Sequence, residues 1–253
     1  MHLAAMSNTQ MAVNDPWLCT QLNCVGTVNV LDGARNAGVE RVVVAGSSLI
    51  SAYQRGIWNE EHEEWQVNEA SPIDPLGSHH PYVTSKVFEE MIARDFMRQY
   101  GLPVTVMRYG IQYGPRMTPG VVVHSFIERA LRGENLIVHG TGEQWRQYIH
   151  VSDVAAAHVQ VLERWDETDG LTLHIVTDRK VSILDLAHAV QKAVPGIGLE
   201  HGPERKGDIE VQWCDSTLTR SALDWDPRIE LEEGVEHTVD WYRRHLSSGM
   251  KRR

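Results

Sequence analysis

Val42-Val43-Val44-Ala45, an unbroken apolar run followed at once by Gly46-Ser47-Ser48, constrains this chain more than any other segment. A short run with no polar face fits a strand buried on both sides, and such strands belong to parallel sheets covered by helices. The surrounding segments agree, because strand-like and helix-like stretches alternate in the manner of βα units. Asp15-Pro16 reads as a helix start, with apolar residues Leu22, Val25, Leu31 and Ala34 carrying the helix to Gly38. A second helix is expected over Tyr82 to Tyr100, stopped by Gly101, and a strand over Val104 to Arg108. Helices over Val122 to Arg132 and Val154 to Arg164 precede a strand at Leu171 to Val176. Ser182 and Asp185 form a capping-box pattern that opens a helix to about Val194, and further helices are expected near Ser216 to Leu223 and Leu231 to His245. Residues 53 to 81 read as a long polar loop of the kind that usually serves function, and 195 to 207 as another loop.

At 253 residues the chain accommodates one large α/β domain with a smaller lobe. A formal charge of -10 argues against nucleic acid or an anionic membrane as partner, since both need a positive field. Any anionic ligand must then be met by locally placed arginines. Cys19, Cys24 and Cys214 have neither zinc-site spacing nor disulfide density, and the thirteen histidines form no HExxH or clustered pattern. No metal is expected, and the thiols read as free in a reducing compartment. No apolar run reaches the roughly 18 to 20 residues of a membrane span. The start lacks the basic region of a signal peptide, so a cytoplasmic location is expected.

Chemistry concentrates at Tyr82-Val83-Thr84-Ser85-Lys86. Four-residue spacing at a helix start puts tyrosine and lysine on one face, where the ammonium favours tyrosinate and prepares the phenol for proton exchange with a hydroxyl. Alone, this is also the spacing of an ordinary exposed pair. Gly46-Ser47-Ser48 adds weight, because the end of a buried strand is where open α/β sheets place ligand-binding residues.

With these features in place, the order of motifs resembles the extended short-chain dehydrogenases/reductases, the NAD-dependent epimerase/dehydratase family that modifies nucleotide sugars. The order is His2-Leu3-Ala4-Ala5, Asp15-Pro16, Asn23-x-x-Gly26-Thr27, the strand ending in Ser47-Ser48, Tyr82-x-x-x-Lys86 and Arg108-Tyr109-x-x-x-Tyr113-Gly114-Pro115. It continues through Gly140 to Ala155 with Arg146, through Arg205-Lys206-Gly207-Asp208, and through Leu223 to Gly234. The resemblance implies a Rossmann-like parallel sheet with flanking helices over 1–115, its N-terminal strands missing. It also implies a smaller C-terminal α/β substrate lobe over 116–253, some segments of which return to the sheet. Ser48, with Ser47 as the alternative register, corresponds to the catalytic serine or threonine, Tyr82 to the acid/base and Lys86 to its partner. Leu3, Ala4, Ala5, Asn23, Tyr109 and Gly110 fall where the family holds NAD or NADP. Arg146 and Arg205 match arginines that grip a nucleotide-sugar diphosphate. A homodimer built on the helix after Asp15 and the Tyr82 helix is also implied.

The chain departs from the family at four places. Ile111 replaces an asparagine that touches the diphosphate in many members. The Ser-x-x-Val-Tyr-Gly pattern becomes Ser48-Leu49-Ile50-Ser51-Ala52-Tyr53, and the Thr-Asp-Glu of 4,6-dehydratases becomes Ser48-Leu49-Ile50. The last change removes the carboxylic acid that expels water, which leaves an epimerase or ketoreductase. No GxxGxxG or GxGxxG occurs anywhere in the sequence, so about 65 residues of leading βα structure are expected to be missing. On that reading the chain as written binds NAD(P) poorly and exposes a sheet edge. Two other readings stand beside it: an extended dehydrogenase for an uncharged alcohol or ketone, and a non-catalytic remnant.

Overall fold

The apolar run is indeed a strand, Val42–Ser47, buried at all six positions. In the computed structural model, which describes residues 1–61, 63–74, 76–77, 79–204 and 212–247, it pairs in parallel with Val104–Tyr109, which pairs in parallel with Thr172–Ile175. His2 bridges Val44 in parallel, its amide donating to the Val43 carbonyl at 2.8 Å. This is the α/β parallel sheet that the sequence pattern implied.

The Pro81–Tyr100 helix starts with His80 as its cap and proline in its first turn, and it stops at Gly101, whose φ of 67° suits a residue without a side chain. Its apolar residues Ala93 and Phe96 pack with Leu31, Val42, Val44, Val104 and Val106 to form the core beneath the sheet. Closer to the helix start, Tyr82, Val83 and Val87 pack with Met6, Ala12, Cys19 and Ile50. The helix expected from Asp15 to Gly38 is interrupted. Pro16–Cys19, a π-helical turn Thr20–Val25 and Gly26–Asn36 follow one another, and no sequence rule signals that wider turn, which often marks functional sites. Asp15 caps the start, accepting from the Leu18 amide at 2.9 Å.

Two expected loops contain strands. Within 53–81, Ile57–Asn59 pairs antiparallel with Glu64–Val67, which pairs in parallel with the distant Trp213–Cys214. Within 195–207, Leu199–Gly202 pairs in parallel with Leu136–His139.

The chain divides into two compact units. The first comprises Met1–Gly110, Ala157–Val176 and Ile209–Trp225, and the second Ile111–Ala156, Thr177–Asp208 and Asp226–Arg253. In the second unit, Ile111–Tyr113 pairs in parallel with Tyr148–His150, and Trp145–Arg146 pairs antiparallel with Val181–Ser182. Its core gathers Phe126, Ile127, Leu136, Val138, Leu186, Val190, Val235 and Val239. The capping box at Ser182 forms as its spacing implies. Ser182 Oγ accepts from the Asp185 amide and Asp185 Oδ2 accepts from the Ser182 amide, each at 2.9 Å. No helix among the described residues is long and apolar enough to cross a membrane.

Candidate active site

Tyr82, Lys86 and the end of the Val42–Ser47 strand meet inside the first unit. Tyr82 is buried in the first turn of its helix, where the Ser47 hydroxyl and the Lys86 charge both act on its phenol. Ser47 Oγ accepts from the Leu49 amide at 3.3 Å and keeps its own proton to donate. Of the two serines, Ser47, the alternative register, is the one that acts on the Tyr82 phenol. The physical reason lies in the strand. Pairing with Val104–Tyr109 carries the sheet through Ser47, and the chain then turns into a 3-10 helix that begins at Ser48. Sequence spacing does not show where that pairing ends.

Lys86 is 2% exposed and donates to the Ala45 carbonyl and to Glu89 Oε2, each at 3.0 Å. The expectation that Lys86 lowers the pKa of Tyr82 meets a stronger opposing effect. Burial pushes the phenol up, and although the Lys86 charge and the Ser47 hydroxyl pull it down, the balance lies above the usual tyrosine value. Proton exchange through Tyr82 near neutral pH thus needs more help than the pair alone supplies.

The other expected cofactor residues are placed as follows. His2 reaches the Thr27 hydroxyl at 2.9 Å, and beyond it Leu3 is exposed. Ala4 is exposed and Ala5 half-buried. Asn23, in the π-turn and fully buried, accepts from the Met6 amide at 2.7 Å and donates to the Met6 carbonyl at 3.2 Å and Ser85 Oγ at 2.9 Å. Its amide is satisfied by the protein, so it acts by holding Met6 and the Tyr82 helix in place. Tyr109 pairs with His158 Nε2 at 2.9 Å, and the Gly110 amide donates to the Ile175 carbonyl at 3.0 Å. In the second unit Arg146 lies in a two-residue strand, with Nη1 donating to the Trp145 carbonyl at 2.7 Å. Arg205 lies outside the described residues.

Sequence reasoning missed a buried polar network beside this site. Arg108 donates through Nε and Nη2 to the two oxygens of Glu90 at 2.8 and 2.7 Å, with both side chains almost fully buried. Arg108 Nη1 also meets His174 Nε2 at 3.2 Å, while His174 Nδ1 faces the Asp215 carbonyl at 2.9 Å. A guanidinium only donates, so Nε2 accepts and the proton sits on Nδ1, which fixes a neutral tautomer. Burial and the Arg108 charge push His174 down to about 3. An added Cβ at Gly46 would lie 3.0 Å from Arg108 Cγ and 3.1 Å from Glu90 Oε1, so the glycine leaves room for the ion pair. One signal in the sequence was available: an arginine in an otherwise apolar strand needs a buried partner.

These groups make stability depend on pH in opposite senses. Between its ordinary 6.5 and about 3, the unfolded chain protonates His174 and the folded chain does not, so acidification below 6.5 removes stability. Glu89 is pushed by burial to about 7, so between about 7 and its ordinary 4.5 the folded chain protonates first and acidification adds stability. Glu89→Gln deletes the second effect. Urea denaturation should therefore show the variant losing stability more steeply than the parent from pH 7 to 4.5, and equal slopes would show that Glu89 does not titrate there.

A parallel sheet with a serine at one strand end and a tyrosine-lysine pair on the adjoining helix defines a short-chain dehydrogenase-like protein. The profile described as "NAD dependent epimerase/dehydratase family" matches residues 1–175, and the chain belongs to that family. It is 32% identical over 246 residues to a UDP-glucose 4-epimerase of Mycolicibacterium smegmatis, covering 96% of this chain and 75% of that protein. It is 26% identical over 251 residues to a UDP-glucuronate 4-epimerase of Thermodesulfobacterium geofontis, covering 97% and 72%. Among solved structures, the UDP-glucose 4-epimerase of Thermotoga maritima with UDP-glucose aligns with a TM-score of 0.82 at 30% identity, over 97% of this chain and 77% of that one. The dTDP-glucose 4,6-dehydratase of Streptomyces venezuelae with NAD bound aligns at 0.85 and 26% identity, over 98% and 74%.

Proposed function

We propose that this chain carries the catalytic machinery of an NAD(P)-dependent epimerase or ketoreductase acting on a nucleotide-activated sugar. The observation that carries this reading is the burial of Tyr82 one helical turn from Lys86, whose Nζ is bonded to the Ala45 carbonyl two residues before Ser47 at the end of a parallel strand. These residues fit the nicotinamide-ribose end of the cofactor. Lys86 uses two of its three N–H groups within the protein, leaving one donor for a ribose hydroxyl. NAD(P), when bound, accepts and returns hydride at the reacting carbinol. Tyr82 takes the hydroxyl proton as the carbinol is oxidised and gives it back on reduction, while Ser47 orients the reacting oxygen. Dehydration is disfavoured, because Ser47-Ser48-Leu49-Ile50 has no carboxylic acid in either register. Supplying UDP-glucose and following inversion at C4 by proton NMR tests the epimerase reading. Consumption of NAD(P)H by a keto-sugar in its place identifies a reductase.

The likeness to nucleotide-sugar enzymes supports Arg146 as a phosphate-binding residue, since a guanidinium fork matches phosphate oxygens and this acidic protein needs a local cation for a dianion. Arg146→Ala is expected to weaken nucleotide-sugar binding by about 1.5–3 kcal/mol, the scale of a charge-assisted hydrogen bond, as read by calorimetry. Unchanged affinity favours the uncharged alcohol or ketone as substrate.

The homodimer belongs to the same reading. Trp17, Leu22 and Val25 after Asp15, and Phe88 and Met91 on the Tyr82 helix, are exposed apolar side chains, and such surfaces mark association sites. Sedimentation should give a dimer at micromolar concentration, reduced to monomer by Met91→Glu; a monomeric parent rejects this interface.

A further inference from the structure

Lys86 shares the core with a second anion-forming group. Glu89 Oε2 lies 3.0 Å from its Nζ, both side chains are at most 3% exposed, and Glu89 Oε1 is buried with no hydrogen bond of normal geometry among the described residues. On a surface, an i,i+3 pair of this kind contributes little stability and no function. Inside a protein the same pair is consequential, because opposite charges in a poorly polarisable interior are felt strongly by every neighbour. The Lys86 charge acts on two groups, the Glu89 carboxylate that it touches and the Tyr82 phenol one helical turn away. The proton exchange assigned to Tyr82 does not use Glu89.

We propose that Glu89 is a positioning residue for Lys86 which also sets the acidity of Tyr82: ionised, it holds the ammonium against the Ala45 carbonyl and keeps the neighbouring phenol protonated. This rests on the reading of Tyr82 and Lys86 as the proton-exchanging pair. Two electrostatic effects accompany the contact. The Glu89 charge acts on Tyr82 in the direction that opposes Lys86, and burial brings Glu89 to about 7, so its charge changes across the neutral range. When Glu89 takes up a proton, the whole Lys86 field falls on Tyr82 and the tyrosinate becomes more accessible. The other titratable groups around the pair are Glu90 on the same helix, Cys19 and Cys24 on the preceding segment, and His2 beside the strand. Burial lowers His2 below its ordinary value and raises Cys24 to about 11.

The test reads Tyr82 directly, without cofactor or substrate. Labelling tyrosine at the ring Cζ with carbon-13 and assigning the Tyr82 signal by its absence in Tyr82→Phe gives its titration in the full chain. Glu89→Gln, which keeps the shape and a hydrogen bond to Lys86, should move the Tyr82 ionisation down by about one pH unit, the scale of one nearby charge. Glu89→Leu should do the same. In the unsubstituted protein, the Tyr82 signal should also show a small inflection near pH 7 as Glu89 titrates, so the question stays open to test even if neither variant folds. An ionisation unmoved in a folded variant, or a Tyr82 signal flat through pH 7 in the parent, overturns the proposal. Full turnover in Tyr82→Phe would instead remove the underlying reading while leaving the titration result standing.

Discussion

Tyr82→Phe is expected to lower kcat/KM by about 10²–10⁴-fold, the usual contribution of a positioned acid/base group, while the protein stays folded. Phenylalanine keeps the ring that packs with Val83, Val87 and Ile50, so the core beneath the helix is preserved. What is lost is the oxygen on which Ser47 and Lys86 act and through which the substrate proton passes. The loss should fall on kcat more than on KM, because the hydroxyl serves the transition state and contributes little to holding the ground state. A thermal melt close to the parent excludes misfolding as the cause. A loss under about tenfold, small for any acid/base group, would falsify the assignment and direct attention to another proton donor.

The largest effect on stability is expected at Arg108. Replacing it by methionine leaves the Glu90 carboxylate buried with no counter-charge, and breaking a buried pair from one side costs about 3–5 kcal/mol. That is a large share of the roughly 5–15 kcal/mol by which domains are stable. His174 Nε2 loses its donor in the same step. Removing both charges together, as Arg108→Met with Glu90→Leu, should be much milder than either change alone, since no unpaired ion remains. Urea denaturation of the two singles and the double closes the cycle. Simple additivity of the two single losses would show that the pair does not act as a unit.

The elements legible in the sequence were those with room for a pattern. Pro81–Tyr100, Ile183–Ala193 and Leu231–Ser247 are long enough to repeat an apolar spacing, and caps such as Ser182 mark their ends chemically. Trp145–Arg146 and Val181–Ser182 are two-residue strands, too short for alternation to appear. Glu64–Val67 is a strand because it meets Trp213–Cys214, a partner about 150 residues away that local propensity does not register. The site divides in the same way. Tyr82 and Lys86 were readable because helix geometry alone sets their relation. Ser47 was less so, since its position depends on where strand pairing stops. Glu89 and Glu90 look like ordinary exposed helix residues, and only the fold shows both to be buried.

Asn23 has a consequence for the timing of solvent access. Met6 belongs to no strand, yet Asn23 bonds both its amide and its carbonyl, so one side chain stands in for a neighbouring strand. The same carboxamide is anchored to Ser85, one residue before Lys86. Deuterium therefore reaches the Met6 amide when its bond to Asn23 opens, and the exchange rate at this single loop position reports how often that anchor beside the Tyr82 helix lets go.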